Sequence, residues 1–374
     1  MILTWKEGGM VLSFIEGNEA IARGAIAAGC SFFAGYPITP ATSIYQHMLQ
    51  LLPPLGGICM QGEDEIASIG FCLGAAMTGM QVMTATSGPG ISLYSEQISL
   101  AIGGEIPLVI VDVQRLGPST GSATKGADGD IQFLRWGNSG GLPVIVLAPV
   151  DVKDCYQLTL HAFRLAGKYR CPVFIASNKE IAMTRESVDL DPLHSRKSDP
   201  SAFTASDGSE EEHVPFLKPI GDEKLSRLTS STHGPDGYIT ADSVIIAQAI
   251  ERMETKLLSA VDDFTYFDLD TKEGDTILLV VYGVTARAAR TALQHLRDMG
   301  EKVSLLVLKT LYPVPEKPIL HSFDGKIRVV VIEMNLGQYV REIERLAGVL
   351  PVSFHGKMNG ELISPEEIVE WVTQ

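Results

Sequence analysis

Gly35–Gly90 carries the three turns that decide the reading of this chain: G-Y-P-I-T-P-A-T at Gly35–Thr42, Q-G-E-D-E-I-A-S-I-G at Gln61–Gly70 and M-T-A-T-S-G-P-G at Met83–Gly90. Each sits where a short apolar run hands over to a segment of helical spacing. Ser31–Ala34, Ile58–Gln61 and Gln81–Thr86 read as buried strands. Thr42–Leu52 reads as a helix with Ile44, Met48, Leu51 and Leu52 on one face, and Asp64–Thr78 as a helix with Ile66, Ile69, Leu73 and Met77. In an open α/β sheet, ligands bind outside the carboxyl ends of the strands, where such turns gather. Three of them, with an acidic cluster between, look like half of a cofactor site.

The same alternation extends in both directions. Ser13–Gly29 opens on Asn18 as a helix cap and continues as an Ala-rich helix. Leu93–Ile102 is a helix, and Pro107–Gln114 is a near-continuous apolar run, as a strand buried on both faces should be. After the Gly-rich loop Arg115–Asp130 come a strand at Pro143–Leu147, a helix at Val152–Tyr169 and a strand at Pro172–Ala176. This order implies a doubly wound parallel sheet, class α/β. Between Arg185 and Ala241 the chain turns polar and rich in turn residues, as a linker or excursion would. A second α/β unit follows: helix Asp242–Leu258, strands Thr276–Tyr282, Val303–Leu308 and Ile327–Glu333, and helices Thr285–Asp298, Val340–Leu346 and Glu366–Val372. The expected division is therefore 11–184, a polar 185–241, and 242–374.

Composition narrows the class of function. A net charge of −15 argues against a nucleic-acid surface, which needs clustered Lys and Arg. No apolar run is long enough for a membrane span, and residues 1–10 carry Lys6 and Glu7 without the apolar core of a signal peptide. Met10 is an alternative start of the ordered domain. Five cysteines without a C-x-x-C pair suggest neither a disulfide framework nor a metal or cluster site, and read as small buried hydrophobes in a reducing cytoplasm. The eight histidines show no metal-ligand spacing.

Each candidate site residue has an ordinary reading beside the functional one. Glu63, Asp64 and Glu65 would complement a helix dipole at any first turn. The helix behind them is apolar and small-residue rich, however, and a carboxylate at a buried helix start needs a specific partner. Tyr36–Pro40 could be no more than a rigid connection with Thr39 as a cap. Thr86–Gly90 could cradle an anion with backbone N–H groups, yet it lacks the lysine of a Walker motif. Gln114–Asp130 carries Arg115, Lys125 and several hydroxyls after the most apolar strand, which suits a carboxylate or phosphate, as well as a solvated loop.

Taken together, G-N-E-A at Gly17–Ala20, A-G-Y-P-I-T-P at Ala34–Pro40, E-D-E-I-A-S-I at Glu63–Ile69, M-T-A-T-S-G-P-G-I-S-L at Met83–Leu93, Q-R-L-G-P-S-T-G at Gln114–Gly121 and Y-G-V-T-A-R-A-A-R at Tyr282–Arg290 closely resemble the α subunit of 2-oxoacid:ferredoxin oxidoreductases, above all the 2-oxoglutarate type. The likeness is dense over Gly17–Met183 and looser over Thr276–Gln338. It implies a pyrimidine-type thiamine diphosphate domain followed by a transketolase C-terminal-like α/β domain. It also implies a β chain that carries the diphosphate-binding motif, Mg2+ and an iron–sulfur cluster, with room for further γ and δ subunits. The implied reaction converts a 2-oxoacid and CoA to an acyl-CoA and CO2, with electrons passed to ferredoxin.

The resemblance also implies roles. A carboxyl hydrogen-bonded to the aminopyrimidine ring nitrogen promotes loss of the thiamine C2 proton, and Glu65 matches that position best, with Glu63 second. Thr39 corresponds to the threonine that faces substrate, and Arg115 to the arginine that pairs with the 2-oxoacid carboxylate. Tyr36, Pro37, Ser87 and Gly88 would line the cofactor. Ser119 and Thr120 would help hold the second carboxylate of 2-oxoglutarate. The loop after Gly121 departs from the family pattern: S-A-T-K-G-A-D-G-D stands in place of L-P-T-K and then Q-G-D, a change that bears on substrate identity more than on reaction type. Two rival readings are a non-catalytic subunit of the same fold and a thiamine decarboxylase without ferredoxin.

Overall fold

The computed structural model describes residues 4–7, 10–190, 219–221 and 227–374, with side chains from residue 12 onward. In chain order the first half runs β1 (Thr4–Glu7), β2 (Met10–Glu16), α1 (Gly17–Ala27), β3 (Phe32–Gly35), α2 (Thr42–Leu51), β4 (Ile58–Gln61), α3 (Glu65–Met77), β5 (Val82–Thr86), α4 (Pro89–Leu93), α5 (Ser95–Gly103), β6 (Leu108–Gln114), α6 (Ile131–Trp136), β7 (Ile145–Leu147), α7 (Val152–Tyr169), β8 (Pro172–Asn178), α8 (Lys179–Met183) and β9 (Arg185–Asp189). The second half runs α9 (Ser243–Leu258), β10 (Phe267–Asp270), β11 (Ile277–Tyr282), α10 (Thr285–Asp298), β12 (Val303–Leu308), β13 (Thr310–Tyr312), α11 (Glu316–Ser322), β14 (Arg328–Glu333), α12 (Val340–Ala347), β15 (Val352–Gly356) and α13 (Pro365–Thr373).

The main sheet has the order β13-β7-β8-β6-β5-β3-β4. Its pairs from β7 to β4 are parallel, and β13 joins antiparallel to β7. Alternation of side chains across the pleat explains why β6 reads as apolar throughout. Val109, Val111 and Val113 enter one core with Ile21, Ile44 and Phe163 of α1, α2 and α7. Leu108 and Ile110 enter the other with Ile69, Leu73 and Ile98 of α3 and α5. Each fully buried side chain of this size contributes roughly 1.5–3 kcal/mol relative to exposure. Because the strands run parallel, Gly35, Gln61, Thr86 and Gln114 all finish at one edge, so the three turns and the Arg115 loop converge there.

The second sheet, β10-β12-β11-β14-β15, is parallel apart from β10. Its residue 333–338 turn is fastened to the end of the Arg115 loop. Asp128 N–H donates to the Met334 carbonyl (2.9 Å), Asn335 Nδ2 to the Asp128 carbonyl (2.8 Å), and Gln132 N–H to Gln338 Oε1 (2.9 Å). The second unit thus buttresses the site edge of the first.

Several details differ from the sequence reading. Asn18 is not a cap: α1 begins at Gly17 behind Glu16, and Asn18 is buried inside the first turn. Its Nδ2 reaches the Pro40 carbonyl and Ser43 Oγ, both at 2.8 Å, so its amide serves the neighbouring turn instead. Thr39 caps nothing either, since the residue before α2 is Ala41. The helix expected over Leu93–Ile102 is two helices that break at Tyr94. Tyr94 is fully buried with its hydroxyl 2.8 Å from Thr84 Oγ1, a contact that ties the chain to β5. The polar stretch after Arg185 begins with a strand, β9, which pairs with β2 in a small antiparallel sheet with β1. Residues 191–218 and 222–226 of that stretch lie outside the described residues. Helices α6 and α11 and strands β10, β13 and β15 carried no sequence signal that marked them. No helix among the described residues is long and apolar enough to cross a membrane.

Candidate active site

Of the three acidic residues at the second turn, the structure buries one. Asp64 caps α3, its Oδ1 accepting from Ala67 N–H at 2.7 Å. Glu63 is exposed, whereas Glu65, the first residue of the helix, is 7% exposed. The Glu65 carboxyl lies against Gly90 at the start of α4: a Cβ on Gly90 would stand 2.9 Å from Glu65 Oε1 and would collide with Thr86 Oγ1. The glycine therefore makes room for a carboxyl and a hydroxyl at one point. Thr86 Oγ1 and Ser87 Oγ beside it are buried and without hydrogen-bond partners. Buried polar atoms without partners are scarce in folded chains, and a row of them marks a place that a ligand or water completes.

The second half of the site is Arg115, at the first position after β6 and 5% exposed. One terminal nitrogen donates to the Thr39 carbonyl, which links the Y-P-I-T-P turn to the loop. Its Nε has no partner. Burial holds the guanidinium below its ordinary value, and the carboxylates of Asp130 and Glu65 act against that. Gly88 is called for by its positive φ of 44° and not by space: a Cβ there would sit at ordinary contact distance, 3.5 Å from Arg115 Cγ and Nε and 3.6 Å from the Ser119 carbonyl. Glu65, Thr86, Gly88, Gly90, Thr39 and Arg115 are thus brought together from four separate segments. Ser87 is buried next to Gly88. Tyr36 and the Thr39 side chain are exposed and Pro37 is half-buried, on the open side of the edge. Ser119 and Thr120 are exposed, and the Ser119 carbonyl lies beside Gly88.

Sequence reasoning missed the acids beneath Arg115. Asp112, inside the apolar strand β6, is fully buried and neither of its carboxyl oxygens has a hydrogen-bond partner. Burial first, and the neighbouring Asp130 second, raise it well above the ordinary carboxyl range. Asp128 is also raised, to about 7, by burial and then by Glu333 and Asp130, against the hydrogen bond from Asn178 Nδ2. A lone aspartate near the carboxyl end of an otherwise apolar strand was the available signal. Among the described residues, no group of three or more His, Cys, Asp or Glu side chains is placed to hold a metal ion.

A family model described as pyruvate flavodoxin/ferredoxin oxidoreductase, thiamine diphosphate-binding, matches residues 23–251, and one for core domain II of pyruvate:ferredoxin oxidoreductase matches residues 276–368. The chain belongs to the 2-oxoacid:ferredoxin oxidoreductase family. It is similar to the 2-oxoglutarate synthase subunit KorA of Archaeoglobus fulgidus, 40% identical over 97% of this chain and 99% of that one. It is also similar to the ketoisovalerate oxidoreductase subunit VorB of Methanothermobacter thermautotrophicus, 32% identical over 98% of each. Among solved structures, the 2-oxoglutarate:ferredoxin oxidoreductase of Magnetococcus marinus, with 2-oxoglutarate, coenzyme A and succinyl-CoA bound, superposes with a TM-score of 0.88 at 32% identity. That match covers 98% of this chain and 66% of the longer one. A split-gene transketolase at 13% identity and a TM-score of 0.56 shows the shared transketolase-like fold alone. As a member of this family the chain is an oxidoreductase subunit with a thiamine diphosphate-binding domain.

Proposed function

We infer that this chain is the α subunit of a 2-oxoglutarate:ferredoxin oxidoreductase that acts with a β chain carrying the diphosphate-binding half of the site, Mg2+ and an iron–sulfur cluster. The reaction joins 2-oxoglutarate and CoA to give succinyl-CoA and CO2, while ferredoxin takes the electrons. The single observation that carries the reading is the buried Glu65 carboxyl facing the Gly90 gap, across the same edge from Arg115.

Thiamine diphosphate, when bound, supplies the carbon nucleophile and the electron sink that decarboxylation of a 2-oxoacid needs. The residues fit its pyrimidine edge. Glu65 offers a dry carboxyl for the ring nitrogen, Thr86 and Ser87 offer unpartnered hydroxyls, and Gly90 makes the room in which the Glu65 carboxyl and the Thr86 hydroxyl meet. Tyr36 and Pro37 border the same edge from the first turn. Arg115 holds the substrate carboxylate in the bidentate geometry that suits a guanidinium, with Thr39 beside it. Ser119 and Thr120 lie on the exposed side of the loop, where they can meet a second carboxylate.

Greater similarity to KorA than to VorB favours 2-oxoglutarate over 3-methyl-2-oxobutanoate. Co-expression with the β chain, followed by assay of both acids and pyruvate with CoA and ferredoxin, tests this. The highest kcat/KM is expected for 2-oxoglutarate. Preference for a branched acid would reassign the substrate, and no CoA-dependent turnover of any of them would favour a non-catalytic subunit.

A further inference from the structure

Asp112 and Asp130 form a carboxyl pair that none of the roles above uses. Asp112 sits on β6 three residues before Arg115, and Asp130 closes the loop that Arg115 opens. The Asp130 N–H is held by Gln114 Oε1 at 2.9 Å, which brings the two ends of the loop together. Asp130 Oδ2, like both oxygens of Asp112, is buried without a hydrogen-bond partner. Each carboxyl acts on the other, and Arg115 is the cation that faces Asp130. Two carboxylates in a dry site cannot both ionise at low cost, and a proton between them lets one donate to the other, against the Gly88 backbone N–H, which favours the charged form of Asp112.

We propose that Asp112 and Asp130 share one proton and together position Arg115, so that its guanidinium keeps an unneutralised edge for the anionic group of the substrate. The proposal rests on Arg115 being the substrate's carboxylate partner. Asp112 carries the proton: it is the more deeply buried of the two, and the contact with it favours the charged form of Asp130. With the proton in place, one negative charge balances one guanidinium and a substrate anion can still approach. Once it is lost, two negative charges face Arg115 and repel that anion. The other titratable groups packed around the pair are Glu65 from α3, which acts on Arg115, Asp128 from the same loop, and Glu333 from β14, which acts on Asp128. Asp130 and Glu65 are the two carboxyls that act on Arg115 directly.

The test uses the assembled complex and two variants, Asp112→Asn and Asp130→Asn. In the unmodified complex the KM for the 2-oxoacid should rise about tenfold as pH is raised until the shared proton is lost, as repulsion at Arg115 grows. Asp112→Asn mimics the protonated partner, so its KM should stay flat over the same rise in pH, with KM changing more than kcat. Asp130→Asn removes the charge outright and should flatten KM as well. Infrared difference spectra between the unmodified complex and Asp112→Asn at neutral pH should show a protonated carboxyl band lost in the variant. A KM that keeps its pH dependence in both variants, or a difference spectrum without that band, would overturn the proposal. The infrared arm needs no substrate, so it separates failure of the pair from failure of the 2-oxoacid assignment.

Discussion

At the scale of single residues, the site depends on which charges are dry and which are wet. Arg115 is buried, has a free Nε, and is pinned through one nitrogen to the Thr39 carbonyl. A lysine in its place keeps the charge but loses the planar fork. Arg115→Lys in the assembled complex should therefore raise the KM for the 2-oxoacid by roughly 10- to 100-fold, the equivalent of one lost charged hydrogen bond. An unchanged KM would remove Arg115 from substrate binding. The contrast among Glu63, Asp64 and Glu65 was only partly legible beforehand. Three adjacent acids at a helix start are equivalent in sequence, and only the burial of the first turn separates an exposed one, a cap and a dry one. Asp112 escaped notice for the opposite reason, since one acid in seven strand residues does not disturb an apolar pattern.

At the scale of elements, the parallel sheet and its turns were readable because apolar runs of strand length alternate with helical spacing, and α7 and α10 match the expected spans. What was not readable was contact at long sequence separation. Neither the Asn18 bond to Pro40 nor the anchorage of residues 333–338 on the Arg115 loop has a local signature. Two predictions belong here. Gly90→Ala would push a methyl into Glu65 and Thr86. The helix can form around alanine, so far-UV circular dichroism should be unchanged while thiamine diphosphate affinity falls about tenfold or more, in line with overpacking of 1–3 kcal/mol. Wild-type affinity would show that the Gly90 gap is not part of the cofactor cradle. Asp128 gives the second. Its folded value of about 7, against 3.8 for the free side chain, means that the folded chain keeps a proton which the unfolded chain releases across that window. Its contribution to stability is thus present at low pH and lost as pH rises through about 7. Asp128→Asn abolishes that loss, so the variant's melting temperature should exceed the native one at about pH 8 and differ less at about pH 5. An equal difference at both pH values would contradict the assigned shift.

At the scale of the whole molecule, the two α/β units and the helix that precedes the second are tied by buried polar groups. Glu105, at the turn before β6, receives Arg252 at 2.6 Å and Lys256 at 2.6 Å from α9. Burial would raise the Glu105 carboxyl, but these two cations override it and hold it below its usual range. The Glu333 carboxyl accepts from Tyr282 Oη, Tyr339 N–H and Val340 N–H at 2.7–2.9 Å, which seats the start of α12 against β14. This frame holds the edge on which Glu65, Gly90 and Arg115 meet, and leaves that edge open where Tyr36 and Thr39 face outward. On the proposed reading, the open side is where a β chain would bring the diphosphate half of the cofactor. The most direct measurement is therefore thiamine-dependent CO2 release from 2-oxoglutarate by the assembled complex carrying Glu65→Gln. The account predicts a fall in kcat of about 100- to 10,000-fold with the cofactor still bound, and a rate equal to that of the unmodified complex would contradict it.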